Sequence, residues 1–256
     1  MTPDEIYIPS KSLRKRVLRR LVPFREQRLL SFEIDRPIVS FSFDDCPKSA
    51  VENGLRKLET EGWKSTVYIA SKLLGITNHL GLHMDADDVE SVYNAGHEIG
   101  GHSFSHFDLS EMPLDCAIKD VIKNRTVMSS LKIPRCTTFA YPYGQTTVEI
   151  KKHLSKEYEG LRGISPGPMI GKVDLNQVRS TPLFTGKPCE EAVRQIHALK
   201  GQNAWLTLFT HDVRERPSEW GCKPAEMESV IAAVKASGAE VLTLSDAIMK
   251  LRANPS

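Results

Sequence analysis

Apolar and polar positions along this chain form short bursts whose period switches repeatedly between two and about three and a half residues. From Pro37 to Phe43, Val39, Phe41 and Phe43 alternate with serines, which is the two-residue period of a strand. From Asp115 to Ser130, Ile118, Val121, Ile122 and Val127 recur near the helical period. The same reading predicts further strands over 66–70, 98–100, 136–141, 160–164, 205–210 and 240–243. Helices are expected over 50–61, 86–94, 146–155, 190–200, 225–237 and 245–252, with Gly62 and Gly96 just past two of their ends. Ser165 to Gly171 is too rich in Pro and Gly to be anything but a loop, and a second long loop runs from Asp212 to Pro224. Repeated strand–helix units predict an α/β fold with a mainly parallel sheet and right-handed crossovers.

No break in composition divides residues 37–256, so they read as a single domain behind a lead-in of residues 1–36. The lead-in holds the one stretch of biased charge, where Lys11, Arg14, Lys15, Arg16, Arg19, Arg20, Arg25 and Arg28 accompany Leu13, Val17, Leu18, Leu21 and Val22. That pattern predicts a basic amphipathic helix ending near Pro23. It either packs its leucines on the domain or lies against the anionic inner face of a membrane.

Composition narrows the partners. A net charge of +2 is too small to imply a polyanionic partner, and no nucleic acid is expected. No apolar run approaches the ~20 residues of a membrane-spanning helix, and Met1 to Ser10 does not read as a secretion signal. Cys46, Cys116, Cys136, Cys189 and Cys222 are odd in number and form no C-x-x-C pair, as reduced thiols do. A cytoplasmic protein is the expectation, and oligomeric state leaves no mark.

In such folds chemistry collects where strands end. The first long strand ends in Asp44-Asp45, adjacent carboxylates that repel unless a proton or a cation relieves them. The 98–100 strand runs into His102-Ser103-Phe104-Ser105-His106, the 136–141 strand into Tyr141-Pro142-Tyr143-Gly144, and the 205–210 strand into His211-Asp212. On a helical turn, His102 and His106 would share one face and grip one metal, with Asp45 as a third ligand. His79 and His83 repeat that spacing, but Gly81 lies between them and no strand tip presents them.

Taken together, Phe43-Asp44-Asp45-Cys46-Pro47, the His102–His106 motif, Tyr141-Pro142-Tyr143-Gly144 and Leu208-Phe209-Thr210-His211 resemble the motifs of the NodB-type polysaccharide deacetylases, carbohydrate esterase family 4. The resemblance spans about Pro37 to Leu251. It implies a distorted (β/α) barrel and metal-dependent removal of acetyl groups from acetamido sugars. Position by position, it implies Asp44 as general base and Asp45, His102 and His106 as ligands of one divalent ion, zinc first, with nickel, cobalt or iron as alternatives. It also implies His211 as general acid and the Tyr143 backbone N–H as an oxyanion donor, with Tyr141 and Pro142 in support.

The chain departs from the pattern in three places. Cys46 stands where the family has Gly, and Ala140 where it has the Arg that steadies the base. The latter makes Phe139–Gly144 similar to the poly-N-acetylglucosamine deacetylase branch. Arg162 or Arg179 is the candidate replacement guanidinium. The acidic residue expected to orient His211 is not evident: Asp174 is the choice, ahead of Asp212 and Asp246. Trp220 either stacks on a sugar ring or pins its loop.

The substrate expected from these features is an acetylated amino sugar, nucleotide-linked, lipid-linked or polymeric, on the way to a surface polysaccharide such as an O-antigen or capsule. Two other readings are a same-fold hydrolase of a non-sugar amide and a degenerate carbohydrate-binding protein.

Overall fold

A computed structural model describes residues 21–256. Most of the expected basic helix lies outside them. Its described end is a 3-10 turn, Val22–Phe24. Arg28 points inward, donating to the carbonyl oxygens of Ser155 at 3.0 Å, Tyr158 at 3.0 Å and Glu159 at 2.7 Å.

The strands in chain order are β1 (Leu29–Ser31), β2 (Ile38–Asp44), β3 (Thr66–Ile69), β4 (Thr77–Asn78), β5 (Gly81–Leu82), β6 (Glu98–Gly101) and β7 (Thr138–Ala140). They continue with β8 (Gly160–Arg162), β9 (Met169–Ile170), β10 (Lys172–Asp174), β11 (Thr181–Pro182), β12 (Ala204–Thr210) and β13 (Glu240–Val241). The main sheet runs β11-β12-β2-β3-β6-β7-β8, and every pair along that path is parallel. The sheet curls into a distorted half-barrel. The irregular segment after β10 crosses the gap between its ends: Leu161 and Gly163 exchange backbone hydrogen bonds with Leu175 and Val178 before the chain enters β11. Among the described residues no helix is long and apolar enough to cross a membrane.

Burial explains the alternation in β2. The strand is not half-exposed; all seven of its residues are buried. Val39, Phe41 and Phe43 pack outward into the larger core, with Val67, Phe139, Leu206 and Leu208. The other face joins Ile38, Tyr68, Ala140 and Trp205 in the core inside the curl. The serines on that face are small where the curl is tight, and they are satisfied there. Trp205 Nε1 donates to Ser40 Oγ at 3.0 Å, and Ser42 Oγ donates to the Leu208 carbonyl at 2.9 Å. Asp44 is the last inward residue of this row, at the open end.

The main helices are α1 (Lys48–Ala50), α2 (Arg56–Thr60), α3 (Ala86–Asn94), α4 (Leu114–Ser130), α5 (Val148–Leu154), α6 (Lys187–His197), α7 (Pro224–Ser237) and α8 (Leu244–Ala253). A π-helical stretch, Val51–Leu55, joins the first two into one continuous run. It packs Gly54 against the Phe43 ring, where a Cβ would come within 2.6 Å of the ring edge.

Three features were not expected from the sequence. β1 and β10 form an antiparallel ribbon, and Phe32 just beyond it enters the inner core, so the packed domain begins before Pro37. β4 and β5 form a hairpin, Thr77↔Leu82. The Pro- and Gly-rich 165–171 segment contributes β9, antiparallel to the start of β12.

Candidate metal and catalytic centre

The turn after β2 is wound tightly. Asp45 and Cys46 both adopt left-handed backbone, each with φ 59°. Such conformations cost ~1–3 kcal/mol apiece and persist only where the surroundings impose them. Here Cys46 N donates to the Asp44 carbonyl at 2.5 Å, Met84 N donates to the Cys46 carbonyl at 3.0 Å, and Pro47 bridges to His83. Cys46 Sγ lies 3.5 Å from the Phe43 carbonyl and 3.8 Å from that of Tyr68. Burial first, then Asp44 and Asp45, push its thiol well above the usual range, so it is a small inert filler here. Left-handed backbone recurs at Ser103, His106 and Tyr143, so among the described residues five of the seven non-glycine positions with positive φ belong to this site.

His102 and His106 do not share a helical turn; the segment between them is irregular. Asp120, on α4, holds it: one carboxylate oxygen accepts from Phe104 N at 2.9 Å and Ser105 N at 3.1 Å. His106 N donates to Ser103 Oγ at 3.2 Å. Both imidazoles reach Asp45 Oδ1, His102 Nε2 at 3.6 Å and His106 Nε2 at 3.2 Å. The three ligand atoms lie within 4.8 Å of one another.

This donor set fits a divalent ion. Two donors bonded at about 2.0–2.2 Å to one tetrahedral ion sit about 3.3–3.6 Å apart. Asp45 Oδ1 is buried and accepts no hydrogen bond. His102 Nδ1 is 2.8 Å from the Ala140 carbonyl, which fixes its proton there and turns the Nε2 lone pair inward. Burial would raise the Asp45 carboxyl, but His106, His102, His211 and His83 outweigh it and hold the group at about 2. Burial pushes His106 down to about 4 and lowers His102, against the pull of the aspartates. An ionised carboxylate and two neutral imidazoles are the forms that bind a cation.

Asp44 sits beside them with a different partner. Arg162 Nη2 donates to its Oδ2 at 2.5 Å, and both side chains are buried. The Arg162 guanidinium lies 5.0 Å from the ring centroids of both Tyr68 and Phe209. Ala140 and Arg162 are register partners on adjacent parallel strands. The guanidinium absent at Ala140 is thus supplied one strand over, while Arg179 is engaged with the Pro166 carbonyl. Asp44 Oδ1 has no protein partner.

His211 is positioned by backbone. Its Nδ1 lies 3.1 Å from the Trp220 carbonyl, and its own N–H donates to that oxygen at 3.2 Å. Asp174 does not orient it. That residue is on β10, accepting from Arg28 N at 2.8 Å and Lys151 Nζ at 3.3 Å. Asp212 faces away, accepting from Ser218 N and Oγ at 2.8 and 2.5 Å to hold its loop. Asp246 accepts from Thr243 Oγ1 at the start of α8. His211 follows directly on β12, which pairs with β2 up to Thr210↔Phe43, so it leaves the sheet beside Asp44. Tyr141 is buried, donating to the Asn176 carbonyl at 3.2 Å. Pro142 opens the 3-10 turn that carries Tyr143, whose ring lies 4.6 Å from that of His106.

The 79/83 histidine pair does reach this centre. Trp220 meets His79 edge-on at 5.4 Å, and Arg214 Nη2 donates to the His79 carbonyl at 2.9 Å. His83 is buried, with Nδ1 on the Ile76 carbonyl at 3.0 Å and Nε2 unpartnered. Its backbone braces the Asp45 turn. The β4–β5 hairpin therefore links the turn carrying Asp45 to the loop carrying Trp220. Only the spacing of the two histidines hinted at it.

A stability consequence follows from the imidazoles. Burial is the leading cause lowering His83, His97, His102 and His106. The unfolded chain takes up protons at these positions near pH ~6.5 while the folded chain resists, so it binds more protons below that point. Metal-free protein is expected to lose stability steadily as pH falls from 7 towards 4, read as a declining urea midpoint. A flat midpoint over that window contradicts the burial of these rings.

Residues 33–158 match the sequence profile of the polysaccharide deacetylase family. Over that span, just under half of the chain, the sequence is similar to the polysaccharide deacetylases. No curated protein matches it in sequence. Solved structures share the fold at low identity. A chitin deacetylase from Colletotrichum lindemuthianum is 14% identical with TM-score 0.60, covering 84% of this chain and 89% of that one. A family 4 acetyl xylan esterase from Clostridium thermocellum, in complex with a cobalt ion, is 20% identical with TM-score 0.57, covering 85% and 93%. A peptidoglycan deacetylase from Bacillus subtilis is 15% identical with TM-score 0.61, covering 86% and 94%.

Proposed function

We propose that this chain belongs to the polysaccharide deacetylases and is a metal-dependent N-deacetylase that hydrolyses the acetamide of an amino sugar. The observation that carries the reading is the division of labour between two adjacent carboxylates. Asp45 converges with His102 and His106, while Asp44 is held by Arg162 with one oxygen left over.

Asp45, His102 and His106 would hold a divalent ion, which when bound would supply an acidified water and a Lewis acid for the acetamide carbonyl. Asp44 Oδ1 takes the proton as water adds to the carbonyl carbon, its other oxygen staying on Arg162. The Tyr143 backbone N–H is assigned to the oxygen on which negative charge develops. His211, with Nδ1 on the Trp220 carbonyl, uses Nε2 to protonate the departing sugar amine, and acetate is the second product. With Arg162 on Asp44, the absence of the family's Arg at Ala140 is no argument for a non-catalytic protein.

Within this activity we place the substrate inside the cell, among nucleotide-linked or lipid-linked precursors of a surface polysaccharide, with chemistry like that of the poly-N-acetylglucosamine branch. The five unpaired cysteines support a reducing compartment. The basic 11–28 stretch, which contains the exposed Leu21 and Phe24, supports peripheral contact with the inner membrane face.

Metal analysis of protein purified without chelator tests the core of the reading. We expect about one equivalent of zinc, cobalt, nickel or iron per chain, lost in His102→Ala together with amine release from UDP-N-acetylglucosamine or a lipid-linked glycan. Substoichiometric metal, with no change on that substitution, overturns it.

A further inference from the structure

The loop after β12 is tied back on itself. At its neck, Cys222 N donates to the Asp212 carbonyl at 3.0 Å and Arg214 N to the Cys222 carbonyl at 3.1 Å. Asn53 Nδ2, from the π-helical stretch that follows the Asp45 turn, donates to the Val213 carbonyl at 2.8 Å. Gly221 lies directly against Asp212, and a Cβ there would collide with its carbonyl oxygen and its carboxylate. Only glycine lets the chain pass so close.

Inside that neck, a carboxylate governs a carbonyl. Asp212 is fully buried, where a carboxylate is costly unless its oxygens find partners. Its Oδ2 accepts from Ser218 N at 2.8 Å and lies 2.7 Å from Arg214 Nε, while its Oδ1 accepts from Ser218 Oγ at 2.5 Å. Ser218 Oγ in turn accepts from Trp220 N at 3.2 Å. The Trp220 carbonyl then accepts from His211 N at 3.2 Å and from His211 Nδ1 at 3.1 Å. A carbonyl only accepts, so Nδ1 carries a proton and Nε2 is left for chemistry.

We infer that Asp212 is the positioning residue of His211. Through Ser218 it sets where the Trp220 carbonyl stands, and that carbonyl sets the tautomer and the aim of the imidazole. The part His211 plays in turnover rests on the deacetylase reading; its positioning does not. The carboxylate never touches the ring, and its charge is met by Arg214. Arg214 Nη2 also donates to the His79 carbonyl, which holds the loop against the β4–β5 hairpin, and His83 of that hairpin bridges to Pro47. The loop of the acid and the turn of the metal ligand thus share one frame. At a proton donor, a misplacement of about 1 Å costs about a hundredfold in rate.

Two readouts test this, one of them without turnover. In protein labelled with nitrogen-15 histidine, the metal-free His211 ring, assigned by its loss in His211→Gln, is expected as the Nδ1–H tautomer. Asp212→Ala and Ser218→Ala are expected to move it towards the Nε2–H form that a free histidine side chain prefers in water. In metal-loaded protein, kcat for amine release should fall about a hundredfold in Asp212→Ala and about tenfold in Ser218→Ala, with KM within about twofold. Hydrolysis of 4-nitrophenyl acetate, whose leaving group departs without an acid, should fall less than about threefold in either. Ser218 is half-buried, so its variant gives the answer should Asp212→Ala fail to fold. A tautomer unchanged in the folded variants, or amide and ester rates that fall together, overturns the positioning. A tautomer that moves in a protein releasing no amine sinks the deacetylase reading and spares the positioning; amine release with the tautomer unmoved in the variants does the reverse.

Discussion

Asp44→Asn is expected to lower kcat for amine release by roughly 10²–10⁴ while leaving the metal content at the unsubstituted level. The amide keeps the shape of the carboxyl and can still accept from Arg162, but it cannot carry a proton away from water. Asp44 is not among the clustered ligand atoms, so the metal remains. This separates base from ligand: His106→Ala loses both metal and rate, whereas Asp44→Asn loses rate alone. Activity within threefold of the unsubstituted protein, at full metal occupancy, would falsify the assignment.

Arg162→Met should destabilise the metal-free protein by about 3–5 kcal/mol, because it strands the buried Asp44 charge. The side chain it removes is fully buried, lies between the Tyr68 and Phe209 rings and donates to Asp44. Adding Asp44→Asn to the same chain recovers much of the loss, since the neutral amide no longer needs a cation. Urea unfolding of the two single variants and the double completes the cycle. Additive losses, with no recovery in the double variant, rule out the pair as a coupled unit.

How far the sequence carried the reader depended on where each partner lies. The strand over 37–43 and the helix over 115–130 were legible because their periods are local and strong. β1 and β10 were not, since three-residue strands acquire their identity from a partner more than a hundred positions away. The β2 serines suggested a solvent face, but the inside of a tight curl also demands small polar residues that find hydrogen bonds.

In the site, Asp45, His102 and His106 were legible as a set because side-chain type announces ligand chemistry. What orients His211 was not, because the partner is the Trp220 carbonyl and every residue has one. Asp174 was chosen for its charge, and that charge serves Arg28 N and Lys151. Asp120 escaped notice and His83 was set aside because each acts through the backbone of a neighbouring turn.

The pairing of Ala140 with Arg162 reaches beyond this chain. Inward positions at one level of a parallel half-barrel form a ring, and a group required at that level can be mounted on either of two neighbouring staves. Searches that demand an arginine within the Pro-Tyr stretch will pass over proteins that moved it sideways. Reading such sequences level by level around the ring, instead of motif by motif along the chain, would recover them.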